Sequence, residues 1–349
     1  MPIARLLREQ TIGETRWLAL DTDGRPAATY LERASNTAAF GARLEGRIGK
    51  TDPGAGGTFV LLSGSDSVFL RTNRDSLVPS EGSLVTVEVV SEARAGKLPR
   101  VKLTAPDTAP APSGADAWRR FLNGGETAPV EDVNAGAPVV SAAFEDALNP
   151  DVTLPGGGVM HIDRTRALTA ADIDSAGRAM KGSAGARALS LNREAAGELA
   201  RQILLRGLGG LFVLDCVAPV AGDGGTRIRA AFQDTWSGLT TRHTKALAVS
   251  QLGLMEASTG WWITPLAERM LDVSGAPTPE TTALEGLRQL EKAASHDRMG
   301  RLKLALPEAA HAWLAASGLE AQARLAERYG ARLSIGVHAR AGFEVSPEG

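Results

Sequence analysis

Ser190-Leu-Asn-Arg-Glu-Ala-Ala-Gly-Glu-Leu-Ala-Arg-Gln-Ile-Leu-Leu-Arg206, followed by Gly207-Leu-Gly-Gly-Leu-Phe-Val-Leu-Asp215, decides the architecture. Leu191, Ala195, Leu199 and Ile203 recur every fourth residue, which predicts an amphipathic helix over 190–206 with Gly207 at its C′ position. Gly209-Gly210 then opens the apolar run Leu211 to Leu214, of the kind that makes a buried central strand. Helix into central strand is a βα unit, and Asp215 ends that strand where α/β sheets usually place their ligands.

Upstream, Gly157-Gly-Val-Met-His-Ile-Asp163 and Arg166-Ala-Leu-Thr-Ala-Ala-Asp-Ile-Asp174 read as paired strands. Side chains on a strand alternate, so Asp172 and Asp174 share a face while Ile173 points into the core. Three carboxylates converging there (Asp172, Asp174 and Asp215) would offer hard oxygen ligands to one magnesium ion. Spacing alone leaves two readings open, because Asp-x-Asp also suits a turn and an acid after a strand also suits a helix cap. Asp163 reads equally as a supporting acid or a turn residue, His161 as a packed or hydrogen-bonded core histidine, and Cys216 as a buried small hydrophobe.

Outward from this unit, the first third of the chain reads as β structure. Thr15 to Asp21 and Pro26 to Glu32 flank a turn at Thr22-Asp23-Gly24 and form an opening hairpin. Five short strands follow, Arg43 to Ile48, Thr58 to Leu62, Ser67 to Arg71, Leu84 to Val90 and Arg100 to Leu103, which suggests a small barrel of the OB type. The Pro/Ala-rich stretch Ala105 to Ser113 reads as a linker, with short helices at Ala115 to Leu122 and Ser141 to Leu148. After Pro279 the order is helix, strand, helix, helix, strand, over Thr281–Ala294, Arg301–Leu306, Pro307–Ala316, Glu320–Tyr329 and Arg332–Val337.

Composition narrows the function classes. The 349 residues carry 38 Lys+Arg against 40 Asp+Glu, so a local basic groove is compatible with the sequence but a strongly basic nucleic-acid glue is not. Cys216 is the one cysteine, which excludes an internal disulfide and a cysteine-based zinc cluster within one chain. The start of the chain lacks a signal-peptide pattern, and Leu208 to Val217, broken by Asp215, is far too short for a membrane span. The expectation is a cytoplasmic protein without a membrane partner. Gly49-Lys50-Thr51 is no P-loop, since Leu44 stands where that loop needs glycine, and the five histidines show no metal-binding spacing.

Leu154 to Ser175 and Asn192 to Asp215 resemble the catalytic segment of the ribonuclease E/G family, and Ser250-Gln-Leu-Gly-Leu-Met-Glu256 looks like a third signature of it. The resemblance implies that Asp172 and Asp215, 43 residues apart, are the two magnesium-binding aspartates of an endoribonuclease, with Asp174 beside them. It implies that Phe59 and Phe69 are aromatics that hold single-stranded RNA, whereas the residues by themselves favour both filling the small barrel's core. Lys97, after Gly96 in a strand-connecting turn, reads as a phosphate contact or as a simple solvated lysine. The implied fold is a multidomain α+β and α/β protein: a ribonuclease H-like part (1–36 and 105–150), an inserted OB-type barrel (37–104), a DNase I-like catalytic domain (151–270) and a small α/β C-terminal domain (271–349).

The sequence departs from the family's pattern in five places. Asp174 replaces an asparagine, and Ala257-Ser-Thr-Gly-Trp-Trp262 replaces a basic stretch, so that Trp261 and Trp262 stand as candidates for RNA stacking or for core and interface. Between Leu103 and Leu154 there is no room for a module that senses a 5′-monophosphate. No Cys-x-x-Cys zinc link lies near Met270 to Thr281, so a zinc-linked dimer is not expected and the oligomeric state stays open. The long scaffold tail of larger members has no counterpart. The expectation is a magnesium-dependent, single-strand-selective endoribonuclease that leaves a 5′-phosphate. The rival is an RNA-binding paralogue, catalytically weak or inactive, acting as a regulator or ribosome-assembly factor.

Overall fold

Three antiparallel strands, β1 (Ile3–Thr11), β2 (Glu14–Asp21) and β3 (Pro26–Arg33), open the chain. The structure is a computed structural model and describes residues 1–63, 66–72, 79–106, 113–175, 178 and 182–348. From β3 the chain enters a closed barrel of β4 (Arg43–Asp52), β5 (Gly57–Leu61), β6 (Ser67–Arg71), β7 (Leu84–Ser91) and β8 (Arg100–Thr104), in the order β4-β5-β6-β8-β7. Ile48, Val60, Val68, Leu70, Val87, Val89 and Val101 fill it. After α1 (Gly114–Arg119), β9 (Val130–Val133) returns to the first sheet and pairs in parallel with β1, where Arg8 makes a two-point ion pair with Asp132 at 2.5 and 2.8 Å. The barrel is thus an insertion within one sheet. Val140 and Phe144 of α2 (Pro138–Leu148) bury against Leu7, Leu18 and Leu20 of that sheet.

A six-stranded sheet follows, with β10 (Asp151–Thr153), β11 (Val159–Arg164), β12 (Thr169–Asp174), β13 (Gly210–Asp215), β14 (Thr244–Ala246) and β15 (Leu254–Thr259) in the order β10-β11-β12-β13-β15-β14. β12 and β13 run parallel, joined through α3 (Ala184–Leu205), and the other neighbours are antiparallel. One face of the sheet packs on α3 and α4 (Gly224–Leu239) and the other faces solvent, which explains why buried and exposed residues alternate along β12. α3 also packs against β3 of the first sheet, and one continuous hydrophobic core joins the two sheets. Beside it, Arg201 donates to Asp21 at 2.6 Å and to the Pro26 carbonyl at 2.9 Å. The chain ends in α5 (Leu266–Met270), α6 (Pro279–His296), β16 (Leu302–Pro307), α7 (Glu308–Ala316), α8 (Ala321–Tyr329), β17 (Leu333–His338) and β18 (Glu344–Pro347), with a three-stranded sheet in the order β17-β16-β18.

The mixed architecture with a closed five-stranded barrel agrees with the expectation of a multidomain α+β chain. Several elements differ in detail. α3 begins at Ala184 rather than Ser190, because its first turn, capped by Ser183 onto the Ala186 N–H, is largely exposed and carries no apolar stripe. The strand expected to start at Arg166 starts at Thr169, since Thr165 accepts the Ala167 and Leu168 N–H groups in a turn. Most of the 105–113 linker lies outside the described residues. Among the described residues no helix is long and apolar enough to cross a membrane.

Candidate active site and nucleic-acid interface

Asp172 and Asp174 end β12 and Asp215 ends β13, all three exposed on the solvent face of the sheet, while Ile173 and Leu214 between them are buried. The parallel ladder pairs Thr169 with Phe212, Ala170 with Val213 and Ala171 with Leu214. One step further along that register sets Asp172 beside Asp215, at the neighbouring-strand spacing of about 4.8 Å. Neither carboxylate has an ion-pair partner among the described residues. Asp174 lies two residues beyond Asp172, opposite Val159. Among the described residues no group of three His, Cys, Asp or Glu side chains is set to hold a metal ion.

Two clamps fix where the strands end. Asn192, fully buried on α3, accepts from the Val217 N–H and donates to the Val217 carbonyl, both at 2.9 Å, pinning the chain two residues after Asp215. Glu194, two residues further along α3, accepts from the Gly156 N–H at 2.6 Å and from Arg178 at 2.7 Å, tying the turn before β11 and Arg178 after β12 to the same helix. Burial alone would raise the Glu194 carboxyl, but the Arg178 guanidinium and the Gly156 N–H hold it below the usual range. Cys216 is buried, with its thiol pushed up to about 11 by that burial, as a small hydrophobe should be.

His161 is not a core residue. It sits on the solvent face of β11 directly opposite Asp172, with Asp151 on its other side, and its Nδ1 lies 2.7 Å from the Asp151 carboxylate. The Asp151 hydrogen bond, with the charges of Asp151, Asp172 and Asp174, raises its pKa above the ordinary 6.5. Asp151, His161, Asp172 and Asp215 therefore form one row across four strands. Counting outward from the 165–168 turn places His161 opposite Asp172, a signal the sequence contains. Asp163 is a strand residue exposed on the same face, opposite Ala170, not part of a turn.

On the barrel, period-two alternation sends Val60, Val68 and Leu70 inward and leaves Phe59 and Phe69 outside, which removes the reading in which they fill the core. They are cross-strand partners with ring centroids 5.5 Å apart in an edge-to-face pair. Gly57 makes room for this pair, since a Cβ there would lie 2.5 Å from the Phe69 ring and from the Leu70 carbonyl. Gly57→Ala is therefore expected to displace Phe69 and to destabilise the protein by about 1–3 kcal/mol. An unchanged urea midpoint for this variant would contradict that packing. Lys97 is exposed on the β7–β8 turn and lines a cleft of about 680 Å3 with Thr264, Glu268 and Trp313. Trp262 is buried, edge-on to Phe40 and capped by Arg242 at 4.1 Å, so it belongs to the core. Burial lowers the Arg242 pKa to about 9.

An acidic solvent face on a mixed sheet and a closed barrel with two phenylalanines on its outer face belong to a multidomain α+β fold. Residues 135–259, which include every strand of the six-stranded sheet, match the family model of the Ribonuclease E/G family. It is 38% identical over 123 residues to Ribonuclease E of Escherichia coli, covering 34% of this chain and 11% of that protein. It is 47% identical over 78 residues to Ribonuclease E of Haemophilus influenzae (22% and 8%), and 40% over 78 residues to that of Synechocystis sp. (22% and 12%). The matched stretch spans about a tenth of the length of these relatives.

Proposed function

We propose that this protein is a single-strand-selective endoribonuclease of RNA processing or decay, dependent on magnesium and leaving a 5′-phosphate, at work in the cytoplasm. The observation that carries the reading is the pair Asp172 and Asp215, which the β12–β13 register continued by one residue sets beside each other, both exposed and neither in an ion pair among the described residues. Two adjacent carboxylates open to water suit a hard cation that keeps most of its own waters. Asp172 and Asp215 would hold the ion and Asp174 would support them. When bound, magnesium supplies Lewis-acid polarisation of a phosphodiester and activation of water. Phe59 and Phe69 stack bases whatever their identity, and Lys97 meets a phosphate. Single-strand selectivity follows, because a duplex keeps its base faces covered. We read the chain as a ribonuclease H-like part (1–36, 105–150), an OB-type RNA-binding barrel (37–104), a DNase I-like catalytic domain (151–270) and a small C-terminal unit (271–349).

Labelled A/U-rich RNA, single-stranded or annealed to its complement, incubated with magnesium or with EDTA, tests the reading. Cleavage of the single strand in magnesium alone, with 5′-phosphate ends, is expected. Cleavage that persists in EDTA contradicts the metal assignment. Binding without cleavage in every lane replaces the enzyme by an RNA-binding paralogue, a reading favoured by the uncharged stretch Ala257 to Trp262 where the family pattern is basic. In EDTA, Phe69→Ala should weaken single-strand binding by about 1–3 kcal/mol, measured by fluorescence anisotropy.

A further inference from the structure

Four arginines gather near the aromatic face of the barrel and the Trp261 edge of the six-stranded sheet. Arg71 follows Phe69 by two residues on β6 and so shares its outer face, and Arg100 on β8 is the register partner of Phe69. Arg94, on the β7–β8 turn, places its guanidinium 4.6 Å from the centre of the Trp261 ring, and Arg164, at the end of β11, reaches the same ring at 5.6 Å. Trp261 is itself held against the start of β13, where a Cβ on Gly210 (φ +96°) would lie 3.0 Å from the indole. Glu268 ties the cluster together, accepting from the Ala95 N–H at 2.6 Å and from Arg164.

Most of the donors in this cluster are unspent. Arg94 makes one side-chain hydrogen bond among the described residues, to Ser91 at 3.4 Å, and has no ion pair among them. The Arg100 Nε is buried without a partner. Burial, and then the neighbouring Arg100 and Arg164, lower the Arg94 pKa, and burial with Arg71 does the same for Arg100. Like charges packed this closely oppose one another unless an anion joins them. A guanidinium stacked on an indole keeps its N–H edge free in a fixed orientation, the geometry that recognises phosphate through paired hydrogen bonds.

We propose that Arg94 and Arg164, oriented by the Trp261 ring, form a backbone-phosphate subsite that receives single-stranded RNA between the Phe59/Phe69 platform and the Asp172/Asp215 pair. The occupant is the phosphodiester backbone rather than a base, since the two guanidiniums already occupy the indole. The subsite rests on the RNA-binding reading above and adds to it the route of the strand. It also gives Trp261 a role within a stretch where the family pattern is basic: the aromatic does not touch RNA but aims the cations that do.

The test is anisotropy of a fluorescein-labelled twelve-nucleotide A/U-rich RNA in EDTA across a KCl series, so that cleavage plays no part. R94Q breaks no ion pair among the described residues and carries the decision. It should weaken binding about tenfold and reduce the slope of log affinity against log salt by about 0.7, the single-strand value per phosphate contact. R164Q should do the same, and W261L should weaken binding although it removes no charge. Thermal unfolding of each variant separates these effects from loss of fold. Wild-type affinity and slope in R94Q, with Phe69→Ala still defective, would overturn the subsite and leave the RNA-binding reading standing. No binding by the wild-type protein would overturn both.

Discussion

Asp215→Asn should lower RNA cleavage at least about 100-fold while leaving the thermal unfolding midpoint unchanged. The magnitude follows from the several kcal/mol that a correctly held cation contributes to a phosphodiester transition state, at about 1.4 kcal/mol per factor of ten. The unchanged midpoint follows from position. Asp215 is exposed at the last residue of β13, whereas the strand's anchorage comes from buried Phe212 and Leu214 and from the Asn192 clamp on Val217. Asp172→Asn should behave alike, since Asp172 occupies the equivalent end of the neighbouring parallel strand. Asp174→Asn restores the residue that the family pattern has at this place and should retain most of the activity. Rate constants for the three variants at saturating magnesium decide the matter, and wild-type cleavage by Asp215→Asn would remove the site assignment.

Glu14→Gln carries the largest expected loss of stability. Glu14 is buried on β2 between two buried arginines, accepting from the Arg16 Nε at 2.6 Å and from the Arg33 Nε at 2.9 Å. Arg16 continues to Glu285 at 3.1 Å and Arg33 to the Thr281 hydroxyl at 3.1 Å, so one carboxylate holds the first sheet to α6 of the C-terminal unit. Removing the one charge that both buried guanidiniums share leaves them with only Glu285 and Glu280 at the margin of the cluster, at a cost of about 3–5 kcal/mol. Burial by itself would raise the Glu14 carboxyl, but the two arginines lower it below the ordinary 4.5. With a lowered folded-state pKa, the stabilisation is present above the unfolded value near 4.5 and fades as pH falls through the folded value. The unfolding curves of the wild-type protein and of the Glu14→Gln variant should therefore be far apart at neutral pH and approach each other in acid. Equal midpoints at pH 7 would contradict the account.

Much of the architecture was legible because it rests on period. The barrel strands alternate with turns between them, α3 repeats every fourth residue, and the helix–strand order after Pro279 reads directly. β1 was not legible, because a register shift between Ile3 and Arg5 and the burial of both Leu6 and Leu7 break its alternation, which runs regularly only over the short stretch from Leu7 to Thr11. α4 was overlooked although Ile228, Phe232, Trp236 and Leu239 mark its buried stripe. At the candidate site, the aspartates could be found from strand ends and spacing, and the 165–168 turn carries the pairing of His161 with Asp172. Asp151 became a neighbour of His161 only when the pairing of β10 was known. Trp261 and Trp262 are chemically identical and adjacent, yet one lies under arginines at the surface and the other in the core, a difference set by tertiary packing.

The insertion of the barrel within the first sheet bears on the order of assembly. Arg8 of β1 meets Asp132 of β9 across a separation of 124 positions, whereas every barrel pairing is made within the 43–104 segment. Closing a long loop is entropically costly before its contacts form, so local pairings are expected to lead. During synthesis the barrel can close while β1–β3 still await their fourth strand, and the sheet that carries it is finished around an already folded passenger. The Phe59/Phe69 face is then in place before α3, whose Asn192 pins the chain after Asp215, has left the ribosome.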